Sequence, residues 1–410
     1  MTLRASTRAA VFPALLLLFA GVWALRRPDA FTNPQFWAED FMFLQEAETN
    51  LFASFLQPMA GYLHLLPRAI AFLGVYLDPA MQPGWYLAAC LMITAVVGNT
   101  CLSERNPMAC RYLLPLVIAV IPHTGEVPLN PTNLQWITAL GLLVTAVKDD
   151  PCTIMQWVSD VFFVVIVGLT GPFILFVVPL LVFRSIARRT LRSHVLLGLG
   201  IMVSLAQIWF LYSTLARSEG PQTVDALKVF AVVSKRLFAC TLLGPASAGM
   251  NEHAAILAGA AMLAYLMVSI HRMRSGRTVY FLLLATMMAI VLASGFTKRF
   301  DVWDLMDTQN GDRYFFIPKV VMVWIMIGII ARGSQPWVYL PSMALISTGL
   351  LLNIGNFRFA PYRNDGWYEA CKDIRQFKEV SVTINPDWTF NYTRRAPIMF
   401  PRHSWPAQRQ

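Results

Sequence analysis

Charge is scarce in this chain. Only 14% of the residues are Asp, Glu, Lys or Arg, against about 25% in a soluble globular domain. Hydrophobic residues make up 56%, and the mean hydropathy is +0.53. That excludes an ordinary soluble enzyme. No G-x-x-x-x-G-K-[ST] loop and no G-x-G-x-x-G turn occurs, so nothing points to nucleotide binding. The six cysteines (90, 101, 110, 152, 240 and 371) form no C-x-x-C pair, which leaves no zinc or thiol-redox motif. Histidines such as His64, His123, His253 and His403 are scattered, with no H-E-x-x-H spacing. No metal or cofactor is therefore expected. Internal repeats and low-complexity runs are also missing.

Long uninterrupted apolar runs are present instead, as in VFPALLLLFAGVWAL. They exclude a transmembrane β-barrel, whose strands alternate apolar and polar residues. They predict an all-α polytopic membrane protein. Candidate spans fall at 10–25, 85–102, 111–122, 133–147, 154–169, 172–184, 195–215, 254–270, 279–296, 315–331 and 337–354, about eleven in all. The net charge of +10 fits basic cytoplasmic loops better than nucleic-acid binding, because no basic soluble domain exists to host a nucleic acid.

Residues 1–27 resemble a signal peptide without an A-x-A cleavage site, and they are expected to form an uncleaved first span. Arg26 and Arg27 at its end oppose the positive-inside rule. The later loops, with Arg184, Arg188, Arg189, Arg192, Arg272, Arg274 and Arg277, place the N-terminus in the cytoplasm and the C-terminus outside. Residues 58–77 are apolar enough to span, but crossing there would turn every later Arg cluster outward. They are expected to form a re-entrant or interfacial helix, in keeping with His64, Pro67 and Arg68 in their middle. The spanning part is thus residues 1–354, with a long first external loop at 28–84. A small external α/β tail follows at 355–410, with a helix near 365–379 and a strand at 379–385. Apart from loop ends, no acid or base is expected deep in a span.

Polar residues gather on the outer side. The first group is PQFWAEDFMFLQEAE (34–48), where Glu39 and Asp40 sit between Trp37 and Phe41. An acidic pair bordered by aromatics suits a general base; it equally suits a helix start, where the macrodipole favours acids. The second group, HTGEVPLNPTNLQW (123–136), brings Glu126, Asn130, Asn133, Gln135 and Trp136 together. Amides and Trp suit sugar recognition, or else a turn, a helix cap and an interfacial anchor. The third is GLTGP (168–172), a turn before a helix start. The fourth, FTKRFDVWDLMDTQNGDRYFF (296–316), carries Lys298, Arg299 and Arg313 on the outer face. Cations there suit a phosphate, or pairing with Asp301, Asp304, Asp307 and Asp312. Arg313 and Tyr314 stand where a span begins.

In these segments the chain resembles the GT-C class of membrane glycosyltransferases. More closely it is similar to bacterial O-antigen glucosyltransferases that use polyprenyl-phosphate sugars. The resemblance rests on WAED (37–40), EVPLNPTNLQW (126–136), GLTGP (168–172), GDRYFF (311–316), and WYEA with VSVTINPDW in the tail (367–388). It implies a GT-C-like bundle in the bacterial inner membrane with a periplasmic active site. It also implies a polyprenyl-phosphate-linked sugar donor and a glycan or lipid-linked acceptor. Transfer would be inverting, by single displacement. On this likeness Asp40 is the catalytic base, with Glu39 second. Arg313, Lys298, Arg299, Arg68 and Tyr314 are the donor-phosphate candidates. Trp37, Glu126, Asn133, Gln135 and Trp136 are the acceptor or sugar candidates. The absence of a large soluble C-terminal domain speaks against a protein-modifying oligosaccharyltransferase. The rival classes are a lipid-linked glycan polymerase or ligase, and a flippase.

Overall fold

The computed structural model describes residues 5–215, 225–297, 305 and 307–395. The protein is mostly helical, with one two-stranded sheet among the described residues. Helix α1 (Ala5–Arg26) enters first. Two short helices, α2 (Asp29–Thr32) and α3 (Glu39–Thr49), and then α4 (Leu65–Gly74), build the first loop. The bundle continues through α5 (Gln82–Leu102), α6 (Leu114–Val120), α7 (Leu134–Val147), α8 (Ile154–Val161), α9 (Ile174–Arg188) and α10 (Leu191–Leu215). A broken helical stretch follows as α11 (Ala226–Val233) and α12 (Cys240–Leu243), then α13 (Glu252–His271), α14 (Arg277–Thr297), α15 (Arg313–Arg332) and α16 (Pro336–Leu352). The tail holds α17 (Trp367–Arg375) and the hairpin β1 (Val380–Ile384) with β2 (Trp388–Tyr392).

Among the described residues, five helices are long and apolar enough to cross a membrane: Pro79–Leu102, Leu191–Ser213, Glu252–His271, Arg277–Gly295 and Arg313–Arg332. Five of the other six expected segments coincide with shorter apolar helices, such as Leu134–Val147 and Ile154–Val167, and the sixth, 172–184, with the 15-residue α9. Helix α15 is the central post. Its face is buried from Phe315 to Ile329, and α14, α16, α7 and α6 all pack against it. Small residues allow the close approaches. A Cβ at Gly328 would lie 2.3 Å from the Tyr280 ring, and one at Gly141 would lie 2.2 Å from Phe163.

The expected re-entrant segment is short and tied down. At about 1.5 Å per residue, ten residues of α4 reach about 15 Å, half of a bilayer core. The stretch before α4 pairs with the GLTGP turn: Leu65 N–H donates to Leu169 O at 3.1 Å and Gly171 N–H to Leu63 O at 2.9 Å. Two segments that neither helix nor sheet would satisfy thereby bond each other.

Arg26 and Arg27, anomalous in sequence, are both buried and bonded to carbonyls. Arg26 donates to Ala119 O, Ile121 O and Phe357 O, while Arg27 donates to Gly125 O and Ala360 O. They staple the end of α6 to the start of the tail. The tail itself packs on the first loop. Trp367 Nε1 donates to Pro79 O, Arg375 pairs with Asp78, and the Tyr392 hydroxyl donates to Glu48 at 2.8 Å.

One expectation needs correction, and two elements go beyond what was expected. The stretch Ala226–Leu243 is helical, although Lys235 and Arg236 interrupt its apolar run. Both are buried and donate to carbonyls, Lys235 to Ala248 O and Arg236 to Asn310 O. An acid does lie inside an expected span: Asp160 is fully buried, held bidentately by Arg105 at 2.8 and 2.5 Å, with Lys148 at 3.1 Å. Its cations come from other segments, so apolar periodicity could not reveal the pairing. The tail carries a second strand, β2, registered Val380↔Tyr392 through Ile384↔Trp388.

Candidate functional site

The site forms where the first loop, the 123–136 loop and the start of α15 meet. The chain enters α3 through Ala38, whose φ of 35° lies in the region that side chains rarely adopt, at a cost of about 1–3 kcal/mol. The tail holds this turn: Ala38 N–H donates to Asn385 O at 2.5 Å, and Trp37 bridges Asn385 in parallel. Phe41 anchors the helix among Phe36, Trp367, Phe390 and Tyr392.

The turn delivers Asp40 to the interior, where it is 1% exposed. Its Oδ1 accepts the Thr132 backbone N–H at 2.7 Å and the Thr132 hydroxyl at 2.6 Å. Burial pushes the Asp40 carboxyl up to about 8; the Thr132 hydrogen bonds oppose this, and the neighbouring Glu39 charge adds to it. A carboxyl in that range can take and return a proton near neutrality. Glu39 is half-buried. It is the more exposed of the pair, and its charge acts on Tyr62, Glu126 and Arg313.

Glycine opens the second loop. Gly125 has φ +88°, and a Cβ there would lie 2.7 Å from Phe359 and 2.8 Å from Arg27. Asn130 and Asn133 then donate to Glu126 O at 2.6 and 2.9 Å, and Asn133 N–H donates to Asn130 Oδ1. Asn133 therefore shapes its own loop. The Glu126 carboxylate stays 24% exposed, 3.4 Å from Arg313 Nη1. Burial raises its pKa, and Arg313 opposes the rise.

Trp136 packs edge-on between Phe173 and Tyr314, at 4.8 and 5.3 Å, and Tyr314 in turn sits under Arg313. Gln135 lies beside Tyr62 and His64 at 3.5 Å. The Trp136 indole nitrogen and Gln135 Oε1 are buried without a hydrogen-bond partner among the described residues. Burial also pushes the Tyr62 hydroxyl up to about 12.

Of the expected residues, the structure brings together Glu39, Asp40, Glu126, Gln135, Trp136, Arg313 and Tyr314. Trp37 borders the same region on the tail side. Arg68 does something else. It is 1% exposed, lies over the Phe43 ring at 4.9 Å and pairs with Glu46 at 2.5 Å, cross-linking α3 and α4. Lys298 and Arg299 lie outside the described residues. Sequence reasoning missed Thr132, whose partner is far away in the chain. It also missed Lys319, which donates to Asp312 at 2.7 Å and to Pro122 O at 3.2 Å. Asp312 in turn accepts the Thr124 N–H. His123 stays neutral: burial first, and then the Arg26, Lys319 and Arg27 charges, hold its pKa well below the ordinary value. Its Nδ1 accepts the Gly125 N–H.

Three cavities meet here. An apolar groove of about 660 Å³ runs between α6, α15 and α16, lined by Leu116, Val120, Val323, Ile327, Ile346 and Leu350 among others. It shares Pro122, Asn353 and Asn356 with a polar chamber of about 560 Å³ that holds His123, Asp312, Lys319 and Arg358. That chamber shares Thr124, Gln309 and Ala360 with a third pocket of about 350 Å³, which reaches Glu126 and Trp37. Among the described residues, no three His, Cys, Asp or Glu side chains gather in a way that would hold a metal ion.

Comparison with family models, curated proteins and solved structures finds no match to this chain.

Proposed function

We propose that the chain is an integral-membrane glycosyltransferase of GT-C type. It moves a sugar from a polyprenyl-phosphate donor to a glycan or lipid-linked acceptor on the periplasmic face of the bacterial inner membrane. In this reading the shorter apolar helices join the five long ones as tilted or partly buried spans, about eleven in all. The N-terminus is cytoplasmic and the tail periplasmic.

The observation that carries the reading is the succession of three cavities that share lining residues, an apolar groove, a polar chamber and the pocket at Glu126. The first two match an amphiphile: the groove fits a prenyl chain, and the chamber fits its phosphate. Arg358 in the chamber, next to the Lys319–Asp312 pair, with Arg313 beside Glu126, would supply positive charge where a phosphate monoester leaves. The Glu39 charge of the acidic pair acts on both Glu126 and Arg313.

The chemistry follows from those positions. The acceptor hydroxyl loses its proton to Asp40, while Glu39 and Glu126 orient the hydroxyl and Arg313. The hydroxyl oxygen forms a bond to the anomeric carbon. The bond from that carbon to the phosphate oxygen breaks, and the electron pair leaves with the lipid phosphate. A single displacement inverts the anomeric centre, through an oxocarbenium-like transition state.

The test is a purified-protein assay with a panel of polyprenyl-phosphate sugars, comparing wild type with Asp40→Asn and Glu39→Gln. Loss of a base costs about 10²–10⁴-fold. Transfer or slow hydrolysis of one donor, lost in Asp40→Asn, supports the reading. Full activity in both variants removes the base assignment. No turnover, with thermal stabilisation by a polyprenyl-diphosphate glycan, moves the assignment to a polymerase, ligase or flippase.

A further inference from the structure

The pocket of about 350 Å³ beside Glu126 differs in character from the other two cavities. The tail builds half of it. Tyr362 and Trp37 stand with ring centroids 5.8 Å apart and planes tilted by 42°, making an aromatic corner. The Arg27 guanidinium packs 4.1 Å from the Tyr362 ring and fixes its position. Facing this corner are the Glu126 carboxylate and the amides of Gln309 and Asn310. Gln309 and Asn310 are exposed, and the Thr124 hydroxyl is buried without a hydrogen-bond partner among the described residues. The corner is held from behind: Asn385 bonds Ala38 through its carbonyl and exchanges two hydrogen bonds with Arg363 through its amide.

These are complementary halves. A pyranose ring presents one face of C–H groups and an equatorial rim of hydroxyls. An aromatic corner matches the face. A carboxylate that accepts, and two amides and a hydroxyl that both donate and accept, match the rim. The charged groups on this wall are Arg27, Arg363 and Glu126; Arg363 pairs with Asp365 and Asp387, Glu126 with Arg313, and Arg27 donates to two carbonyls, which suits a neutral ligand. The apolar groove meets the polar chamber on its far side and does not border this pocket.

We propose that this pocket is the acceptor subsite, and that it binds the non-reducing end of a neutral oligosaccharide by its sugar rings alone. The acceptor's own lipid carrier is then dispensable for recognition, whereas the donor's is not. Tyr362, in the tail, is a specificity determinant for the acceptor. The word acceptor rests on the transferase reading; the saccharide site does not.

The experiment measures binding rather than turnover. Detergent-purified full-length protein is mixed with lipid-free oligosaccharides built from hexoses, 6-deoxyhexoses and N-acetylhexosamines. Saturation-transfer NMR then reads contact with ring protons. At least one saccharide should bind, and Trp37→Leu and Tyr362→Ala should each weaken it on the order of tenfold, one aromatic contact's worth. Tyr362→Phe, which keeps the ring, should bind as wild type does. If either aromatic variant misfolds by its melting curve, Gln309→Ala and Asn310→Ala, at exposed positions, carry the same test with a smaller loss.

Absence of binding by any saccharide, while the donor is still consumed, overturns the subsite. So does equal binding by wild type and all variants, or binding only of lipid-linked glycans. Saccharide binding that the variants weaken, with no donor consumed, leaves the subsite standing and removes the transferase.

Discussion

The hydroxyl of Thr132 gives the sharpest handle on the acidic pair. Thr132→Val keeps the side-chain shape and the backbone N–H that bonds Asp40 at 2.7 Å, and it deletes the hydroxyl at 2.6 Å. A hydrogen bond to a charged group contributes about 1.5–3 kcal/mol, and one pKa unit corresponds to about 1.4 kcal/mol. The variant should therefore raise the Asp40 pKa from about 8 by about one to two units. A base works only when ionised, so the rate climbs as pH rises through its pKa. At pH 7 about a tenth of the wild-type carboxyl is ionised, and the variant lowers that fraction about 10–100-fold. Single-turnover transfer measured from pH 6 to 9.5 checks this. The variant's deficit should shrink steadily toward alkaline pH, with its profile displaced to higher pH. A variant profile that superimposes on wild type, or one lowered equally at every pH, refutes Asp40 as the titrating base.

Other perturbations test neighbouring claims. The folded-state pKa of Asp40 is raised, so its ionised form opposes folding, and stability falls as pH rises from about 4 toward 8. Asp40→Asn should accordingly melt above wild type at pH 8 in a thermal-shift assay. Asp40→Ala, which leaves the Thr132 donors unsatisfied, should cost about 1–3 kcal/mol relative to Asn. Arg105→Ala strips the bidentate partner from buried Asp160 and should cost about 3–5 kcal/mol in detergent unfolding, with little recovery by Lys. Gly125→Ala puts a Cβ into Phe359 and Arg27 at a positive φ. It should lower the melting temperature and loosen the 123–136 loop, read as faster proteolysis there.

The two largest polar groupings are legible in the sequence because they sit in short contiguous motifs. WAED and EVPLNPTNLQW stand out by density, and their loops do meet around Arg313. Asn133 shows the limit of that reading. It belongs to the cluster by position, yet its amide is spent on Glu126 O. Arg68 shows another. A cation in an outer loop looks free in one dimension, but it pairs with Glu46 across the α3–α4 contact. The 226–243 helix is hidden because Lys235 and Arg236 lower the local hydropathy, and only distant carbonyls make their burial tolerable.

Sequence by itself determined the helical, apolar character of this chain. Hydropathy is a sum over neighbouring residues, so scarce charge and long apolar runs suffice to call for helices apolar enough to cross a membrane. The expectation that 58–77 does not cross agrees with the ten-residue length of α4. Only the tertiary structure decided which acid is buried and which is open. Asp40 and Glu39 are adjacent and chemically near-identical. Their difference comes from Thr132, 92 residues away, and from a strained turn that Asn385 of the tail holds in place. Desolvation depends on everything that packs around a group, and no local stretch of sequence carries that information.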